Sequence, residues 1–305
     1  MYFYLYILAI DIVILTIIYN KFNAIAKFFS VYDFPSNRKI HKKKTPLLGG
    51  LLIIFFFFLN LIILEINSDK TFFNYLNIES YKFYIFLFVI LLFKFLLGLY
   101  DDKYILKNFV KLIWVIFFSY LLVQNHQNIN IAVLNFSFYE KFSIARYSLV
   151  FTLICIVSLT IFMNLYDGMN LQSCLFYSIN FLLLFLYTKN IFFIYLFLLP
   201  LVYFLIFNFS GKCFLGDSGS NFLSTIFGII LIRFYLNYDE IYVDHILLIV
   251  LIPFIDSVRI FINRILKKRS PLVADKNHIH HKILSRFSYS NTILIFLIFP
   301  LINLF

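Results

Sequence analysis

Long apolar stretches broken by short polar connectors recur along the whole chain. Each stretch approaches the roughly 20 residues that a helix needs to cross a hydrocarbon core. Ten spanning helices are predicted, at 2–19, 47–66, 81–100, 108–123, 147–164, 171–187, 190–207, 220–236, 242–263 and 291–305. The last is short, and the pair within 171–207 is joined by a very brief connector. The stretch from Tyr2 to about Tyr19 lacks a small-residue cleavage pattern and is long enough to span, so it reads as a retained helix rather than a signal peptide. No connector is long enough for a separate soluble domain. The expected fold is an all-α integral membrane protein of about 10 transmembrane helices, with residues 1–305 forming one polytopic domain.

Composition agrees with the pattern. The chain is 62% hydrophobic and only 13% charged, with a mean hydropathy of +0.91, so lipid is its main solvent. The net charge of +11 raises nucleic acid or an anionic membrane as partners, and the placement of the charges decides between them. With ten spans, seventeen Lys and Arg fall on one side and five (Lys70, Lys82, Lys141, Arg146 and Lys189) on the other. The bias of basic residues toward cytoplasmic loops then puts both termini outside and the basic loops in the cytoplasm, facing anionic lipid and an anionic substrate. Nucleic-acid binding loses its support. The three cysteines, Cys155, Cys174 and Cys213, have no metal-type spacing and imply no disulfide framework.

The unusual polar sequence collects on that basic side: RKIHKKKTPLLGG (38–50), DDK (101–103), NLYDGMN (164–170), FLGDSGSN (214–221) and SPLVADKNHIHHKIL (270–284). Five loops on one face point to a site built from many helix ends at the membrane surface. Asp101 and Asp102 end the third span, where adjacent carboxylates repel unless a cation compensates; nearby Lys103 and Lys107 offer a purely structural alternative. Asn164, Asp167 and Asn170 recur every three residues, an oxygen-rich face suited to Mg²⁺ or a nucleotide, or simply to capping the flanking helices. GDSGS precedes the eighth span, where its free N–H groups cap the helix or meet a metal-bridged phosphate at Asp217. After Asp275, a candidate N-cap, His278 and His281 are expected to share a helix face and His280 to point elsewhere. Zinc, a diphosphate and solvent all remain open as what this loop meets. Asp256 and Arg259 read as an intrahelical ion pair, and Asp11, Glu65 and Lys94 as helix-packing residues.

Taken together, DFPSNRKIH with TPLLGG, LGLYDDK, NLYDGMN, FLGDSGS and PFIDSVRIFINR with ADKNHIHH resemble the polyprenyl-phosphate N-acetylhexosamine-1-phosphate transferase family, in the family's order, from about Asp33 to Leu284. The HIHH form is similar to the branch that starts O-antigen and teichoic-acid synthesis rather than to the peptidoglycan branch. The resemblance implies a membrane enzyme of the bacterial cytoplasmic membrane that begins a cell-envelope glycan such as that of lipopolysaccharide. Its reaction is transfer of a sugar 1-phosphate from a UDP-sugar to undecaprenyl phosphate, releasing UMP. It implies a Mg²⁺ cofactor, with Mn²⁺ as an alternative, and is compatible with a homodimer.

By the same resemblance Asp217 and Asn164 are metal ligands, and Asp101 and Asp102 serve catalysis as metal ligands or as the base for the lipid phosphate. Lys44 meets phosphate, His278, His280 and His281 meet the nucleotide-sugar phosphates, and Asp167 and Asn170 lie in the nucleotide region. One departure stands out: the family commonly continues DG-x-DG, whereas Asn170 and Leu171 occupy the later Asp and Gly here. The short final span is another. A groove for the polyprenyl chain is expected along the third, fourth and ninth spans. A transporter of an anionic solute is the alternative class, although its site would sit near the bilayer midplane rather than at one surface.

Overall fold

The structure, a computed structural model, describes residues 2–35, 43–67, 72–78, 80–268, 270 and 278–302. Thirteen helices account for most of these: α1 (Tyr2–Phe29), α2 (Gly49–Asn67), α3 (Phe72–Leu76), α4 (Tyr81–Tyr104), α5 (Asn108–Asn125), α6 (Ser148–Tyr166), α7 (Gln172–Thr188), α8 (Leu199–Phe209), α9 (Gly216–Asn237), α10 (Val243–Ile249), α11 (Leu251–Leu266), α12 (Ile279–Leu284) and α13 (Tyr289–Ile302). Two antiparallel two-stranded ribbons complete the chain. One pairs β1 (Tyr32–Asp33) with β2 (Thr45–Pro46), and the other pairs β3 (Val133–Phe136) with β4 (Tyr139–Ser143).

A helix occupies each of the ten apolar stretches, but they are not equal. Six are long and apolar enough to cross a membrane: α1, α2, α4, α5, α6 with the turn at Ala145–Tyr147 that leads into it, and α9. The α10–α11 pair, bent by 76°, makes a seventh if it is one span. The helices at Gln172–Thr188 and Phe193–Phe209 fall short of that length, so ten full crossings are not seen among the described residues. The chain is a multi-pass, all-helical membrane protein.

The central element is α9. Every residue from Ser218 to Phe234 is buried, polar ones such as Asn221, Thr225 and Arg233 included, and the helix packs against α2, α4 and α6. Gly50 of α2 and Gly98 of α4 make this possible at the start of α9: a side chain at either position would run into the Ser218–Gly219 or Asp217–Ser218 backbone. By contrast α1 is largely exposed and faces the surroundings.

The intramembrane polar residues take partners on neighbouring helices, in line with a packing role. Lys94 Nζ donates to Ser119 Oγ at 2.9 Å. Tyr84 Oη donates to Glu65 at 2.7 Å. Asp11 Oδ2 accepts from Asn60 at 2.9 Å and from Tyr203 at 3.1 Å, which ties α1 to α2 and α8. Such bonds in lipid contribute roughly 0.6–2 kcal/mol each.

Between α6, α9 and the bent α10–α11 pair lies an apolar cavity of about 280 Å³, lined among others by Ile154, Leu159, Phe162, Leu231, Leu247 and Phe254. Of the three spans expected to form a lipid groove, only the ninth contributes to it; the third packs against the fourth and α9 instead, and the fourth against the third and α6.

Candidate active site

The C-terminal ends of α4 and α6 and the N-terminal ends of α5 and α9 meet at one end of the bundle. Helix α4 runs two residues past its two aspartates before Ile105, in the left-handed region, turns the chain. Consecutive residues on a helix diverge, and Asp101 and Asp102 do so here. The Asp101 Oδ1 accepts the Leu106 N–H at 2.6 Å, which closes the α4–α5 turn, while its Oδ2 pairs with Lys111 Nζ at 2.8 Å. The other carboxylate, Asp102, points into the first turn of α9 and accepts the N–H groups of Asp217 at 2.8 Å and Ser218 at 3.1 Å. GDSGS is therefore the opening turn of α9 itself. Its cap is Asp102 from another helix rather than Asp217 or Ser218, and two N–H groups that the helix leaves orphaned are satisfied by a carboxylate at the positive end of its dipole.

Lys111 holds the centre. It pairs with Asp217 Oδ2 at 2.7 Å as well as with Asp101, and Asp217 Oδ1 accepts from Asn164 Nδ2 at 2.5 Å. One ammonium thus serves two carboxylates from different helices. Lys111 was not legible as a site residue: its only signal is a lysine one turn inside an apolar helix, soon after the aspartate pair.

Asp167 ends α6, one turn beyond Asn164, as the helix C-cap. Burial pushes its carboxyl up to about 7, helped by the charge of Asp217 and opposed by the Ser173 hydroxyl. Next to it Gly168 lies under the His280 ring, where any side chain would collide with the imidazole. The HIHH loop therefore closes over the NLYDG turn.

Its geometry corrects one expectation. His278 precedes α12 as an extended N-cap residue (φ −59°, ψ 150°), so its ring stacks on His280 at 5.5 Å between centroids rather than sharing a face with His281. His281 follows, 4.4 Å from the His280 ring. The expected cap Asp275 lies outside the described residues, as does 38–42 of the first basic loop. Asp256 anchors the loop: its Oδ2 is 3.1 Å from His278 Nδ1 and its Oδ1 accepts the Ile279 N–H at 3.0 Å. The expected Arg259–Asp256 pair is present at 2.6 Å, and this second duty of Asp256 is the part the sequence did not reveal.

His280 is buried, and its Nδ1 has no hydrogen-bond partner among the described residues. Burial, with the neighbouring His281 and His278 charges, pushes the imidazole down to about 3; Asp256 opposes the shift. The folded protein therefore binds fewer protons here than the unfolded chain, whose histidine titrates near 6.5. Stability should be fully present above about 6.5 and fall progressively as the pH drops toward 3. Thermal melting between pH 7.5 and 5 measures this, and His280→Phe should flatten the dependence; equal slopes in the two proteins would contradict it.

Two expected residues stay apart from the aspartates. Lys44 is exposed, with its Nζ 5.2 Å from the Tyr32 ring centroid. The strand after it, β2, and the start of α2 join the loop before α9 through backbone bonds, Phe214 N–H to Pro46 O, Gly49 N–H to Phe214 O and Gly50 N–H to Leu215 O. Asn170 offers its carbonyl to Tyr289 Oη at 2.9 Å, and among the described residues no hydrogen bond joins its side chain to the aspartates. Leu171 then adopts φ 71°, a left-handed conformation that costs a β-carbon about 1–2 kcal/mol. Asn208 holds it there: its Oδ1 accepts the Leu171 N–H at 2.7 Å and its Nδ2 donates to Cys213 O at 2.8 Å, clamping the NLYDG loop to the loop before α9. The chain thus keeps the turn that a glycine would make without strain. Leu171→Gly should raise stability by about 1 kcal/mol, read as a higher melting midpoint; a lower midpoint would count against the strain.

The chain is 26% identical over 261 residues to the "Probable undecaprenyl-phosphate N-acetylglucosaminyl 1-phosphate transferase" of Bacillus subtilis (strain 168), covering 83% of this chain and 69% of that one. Residues 82–235, from the start of α4 to the end of α9, match the model of glycosyl transferase family 4. That segment carries Asp101, Asp102, Lys111, Asn164, Asp167 and Asp217, and with half the chain matched the protein belongs to glycosyl transferase family 4.

Proposed function

We propose that this protein transfers a sugar 1-phosphate, from the N-acetylhexosamine class, from a UDP-sugar to a polyprenyl phosphate. The observation that carries the reading is the Asp101–Lys111–Asp217 bridge at the bundle end. It joins a cation and carboxylates, as a phosphate-transfer site requires, at the ends of apolar helices, which suits a site that takes both a lipid head group and a water-soluble nucleotide. An oxygen of the lipid phosphate attacks the phosphorus that bears the sugar. As that P–O bond forms, the bond from the same phosphorus to the oxygen bridging it to the second phosphorus breaks, UMP leaves with that oxygen and the electron pair, and a polyprenyl diphosphosugar remains. No covalent enzyme intermediate is needed, so the residues bind, orient and balance charge.

The donor set fits Mg²⁺. Two carboxylates and an amide supply hard oxygens, and two carboxylates against one ammonium leave negative charge for a divalent cation. Asp217, Asn164 and Asp101 are the residues that would hold it, and the ion would supply charge neutralisation on the phosphates. Lys111 gives a fixed positive charge beside the same oxygens. Asp102, whose two oxygens accept the Asp217 and Ser218 N–H groups, is assigned in this reading to holding α9 in place.

The His278–His281 loop, fixed by Asp256 over Gly168, is suited to the nucleotide-sugar phosphates. The apolar cavity between α6, α9 and α11 suits part of the polyprenyl chain. The excess of Lys and Arg at the aspartate end supports a cytoplasmic site in the bacterial cytoplasmic membrane.

The test is a screen of UDP-sugars with undecaprenyl phosphate in detergent, reading UMP release and product mass, with and without Mg²⁺. UMP release that requires the lipid phosphate is expected. Release without acceptor, or solute uptake into proteoliposomes with no lipid-linked product, would overturn the assignment.

A further inference from the structure

The β3–β4 hairpin stands between the C-terminal end of α5 and the N-terminal end of α6, so it lies at the end of the bundle opposite the aspartates. A two-residue turn, Ser137–Phe138, joins its strands, with Leu134 opposite Phe142 and Phe136 opposite Tyr139. Turns this short favour Gly, Asn or Asp for their backbone freedom, which Phe138 does not supply. Its ring is 79% exposed, Tyr139 is 69% and Phe142 57% exposed, and β4 is exposed along its whole length. Two contacts fix the hairpin to the bundle. Asp244, in the first turn of α10, accepts the Ser137 N–H at 2.9 Å and the Ser137 hydroxyl at 2.8 Å. Tyr235 Oη of α9 donates to Val133 O and accepts the Asn135 N–H, each at 2.8 Å. The rings are thus displayed from a fixed platform, and an exposed aromatic patch of this kind marks a surface that something apolar covers.

The surroundings identify the cover. Leu134, the cross-strand partner of Phe142, lines the apolar cavity together with Ile154 of α6 and Leu247 of α10, which sets β3 against the apolar parts of two spans rather than beyond them. Exposed apolar residues continue from the hairpin into α6 through Tyr147, Val150 and Ile154, on the surface that this spanning helix turns to lipid. Charge selects no other partner. Lys141 and Arg146 are matched by Glu140 and Asp244, the latter with His245 at 3.9 Å, and Asp239 and Glu240 lie on the neighbouring α9–α10 connector. An anionic ligand therefore meets no excess of cations here. Aromatic rings at the end of a spanning helix suit the membrane–water interface, where an apolar body and a wet edge are both satisfied. We propose that the β3–β4 hairpin is a membrane anchor that seats Phe138, Tyr139 and Phe142 in the head-group layer of the leaflet opposite the aspartates. The rings meet the glycerol backbone and first methylene groups of phospholipid, whatever its head-group charge. Through Ser137 and Asp244 the same anchor holds α10, the first half of the bent span, at that surface.

The experiment uses the full-length protein in nanodiscs that hold a single copy, so that a second copy cannot cover the hairpin. The chain has one tryptophan, Trp114, which is first changed to Phe. Phe138→Trp and Tyr139→Trp are then made singly in that background, with Ile154→Trp on the exposed face of α6 as the deeper reference. Phosphatidylcholine brominated near the head-group end of its acyl chains should quench the emission at 138 and 139 about twofold, and more strongly than bromine at the chain terminus. The ratio of shallow to deep quenching should be lower at 154. Iodide in the buffer should quench the hairpin positions little, and exchanging phosphatidylcholine for phosphatidylglycerol should leave the pattern unchanged. A melting midpoint equal to that of the Trp114→Phe parent confirms folding, and Phe142→Trp serves as a third reporter where either of the others does not fold. Quenching by iodide with no response to either brominated lipid would place the hairpin in water. Blue-shifted emission insensitive to both would mean that protein covers it. Either result overturns the proposal, as does lipid quenching that requires phosphatidylglycerol.

Discussion

Lys111→Met is expected to lose about 3 kcal/mol of stability in metal-free buffer and nearly all transfer activity. Removing one partner of this partly buried ionic group is expensive because the remaining charges keep much of their desolvation cost without compensation. Here the remainder is a pair of carboxylates, Asp101 and Asp217, which the ammonium bridges at 2.8 and 2.7 Å. Adding Mg²⁺ should restore much of the stability, since a divalent cation can replace the ammonium between them, but not the activity, because the fixed charge beside the phosphates is gone. Asp217→Asn should lower turnover on the order of 10³, the several kcal/mol that a lost metal ligand represents at about 1.4 kcal/mol per decade. The double variant should be more stable than the sum of the two single effects, since the amide no longer repels Asp101. Melting midpoints with EDTA and with Mg²⁺, alongside UMP release, measure all of this. Strictly additive losses with no response to Mg²⁺ would mean that Lys111 is not balancing these carboxylates.

Why the sequence revealed so much of this site and missed its central lysine has a physical explanation. Apolar runs of bilayer length mark helices whatever their order, so helices appear at each predicted stretch. Crossing is a stricter property. The Gln172–Thr188 and Phe193–Phe209 helices are apolar because they pack against neighbours, and apolarity alone cannot separate that from lipid contact. The polar blocks were visible because Asp, Asn and His at helix ends are conspicuous in a chain with so little charge. Lys111 and Asp256 were obscured because each sits inside an apolar helix and acts on a residue far away in sequence, 106 positions off for Lys111 and Asp217. The aspartate pair divides for a local reason. A helix that continues past both residues sends them in different directions, Asp101 to a lysine and Asp102 to a backbone.

That division leads to the second large effect, at Gly216. Gly216 has φ 75°, and a β-carbon there would lie 2.7 Å from Asp102 Oδ2. Gly216→Ala therefore meets two obstacles at once, a left-handed backbone and the carboxylate that caps α9. The loop must open, Asp102 must release the Asp217 and Ser218 N–H groups, and Asp217 must shift from Lys111 and Asn164. A loss of about 2–4 kcal/mol is expected, with activity falling at least as far as in Asp217→Asn. Asp102→Asn separates the structural role from the chemical one. Its amide oxygen can still accept from the first turn of α9, so activity should fall by only about 10- to 100-fold, a cap's worth of 1–2 kcal/mol plus misplacement of Asp217. The pH dependence of transfer should keep its shape. If Asp102 were instead the base for the lipid phosphate, Asp102→Asn would abolish transfer and flatten the acidic limb while leaving the melting midpoint in place. Gly216→Ala would then be no guide to it. Rate against pH and melting midpoint, measured on both variants, distinguish a carboxylate that holds a helix from one that moves a proton.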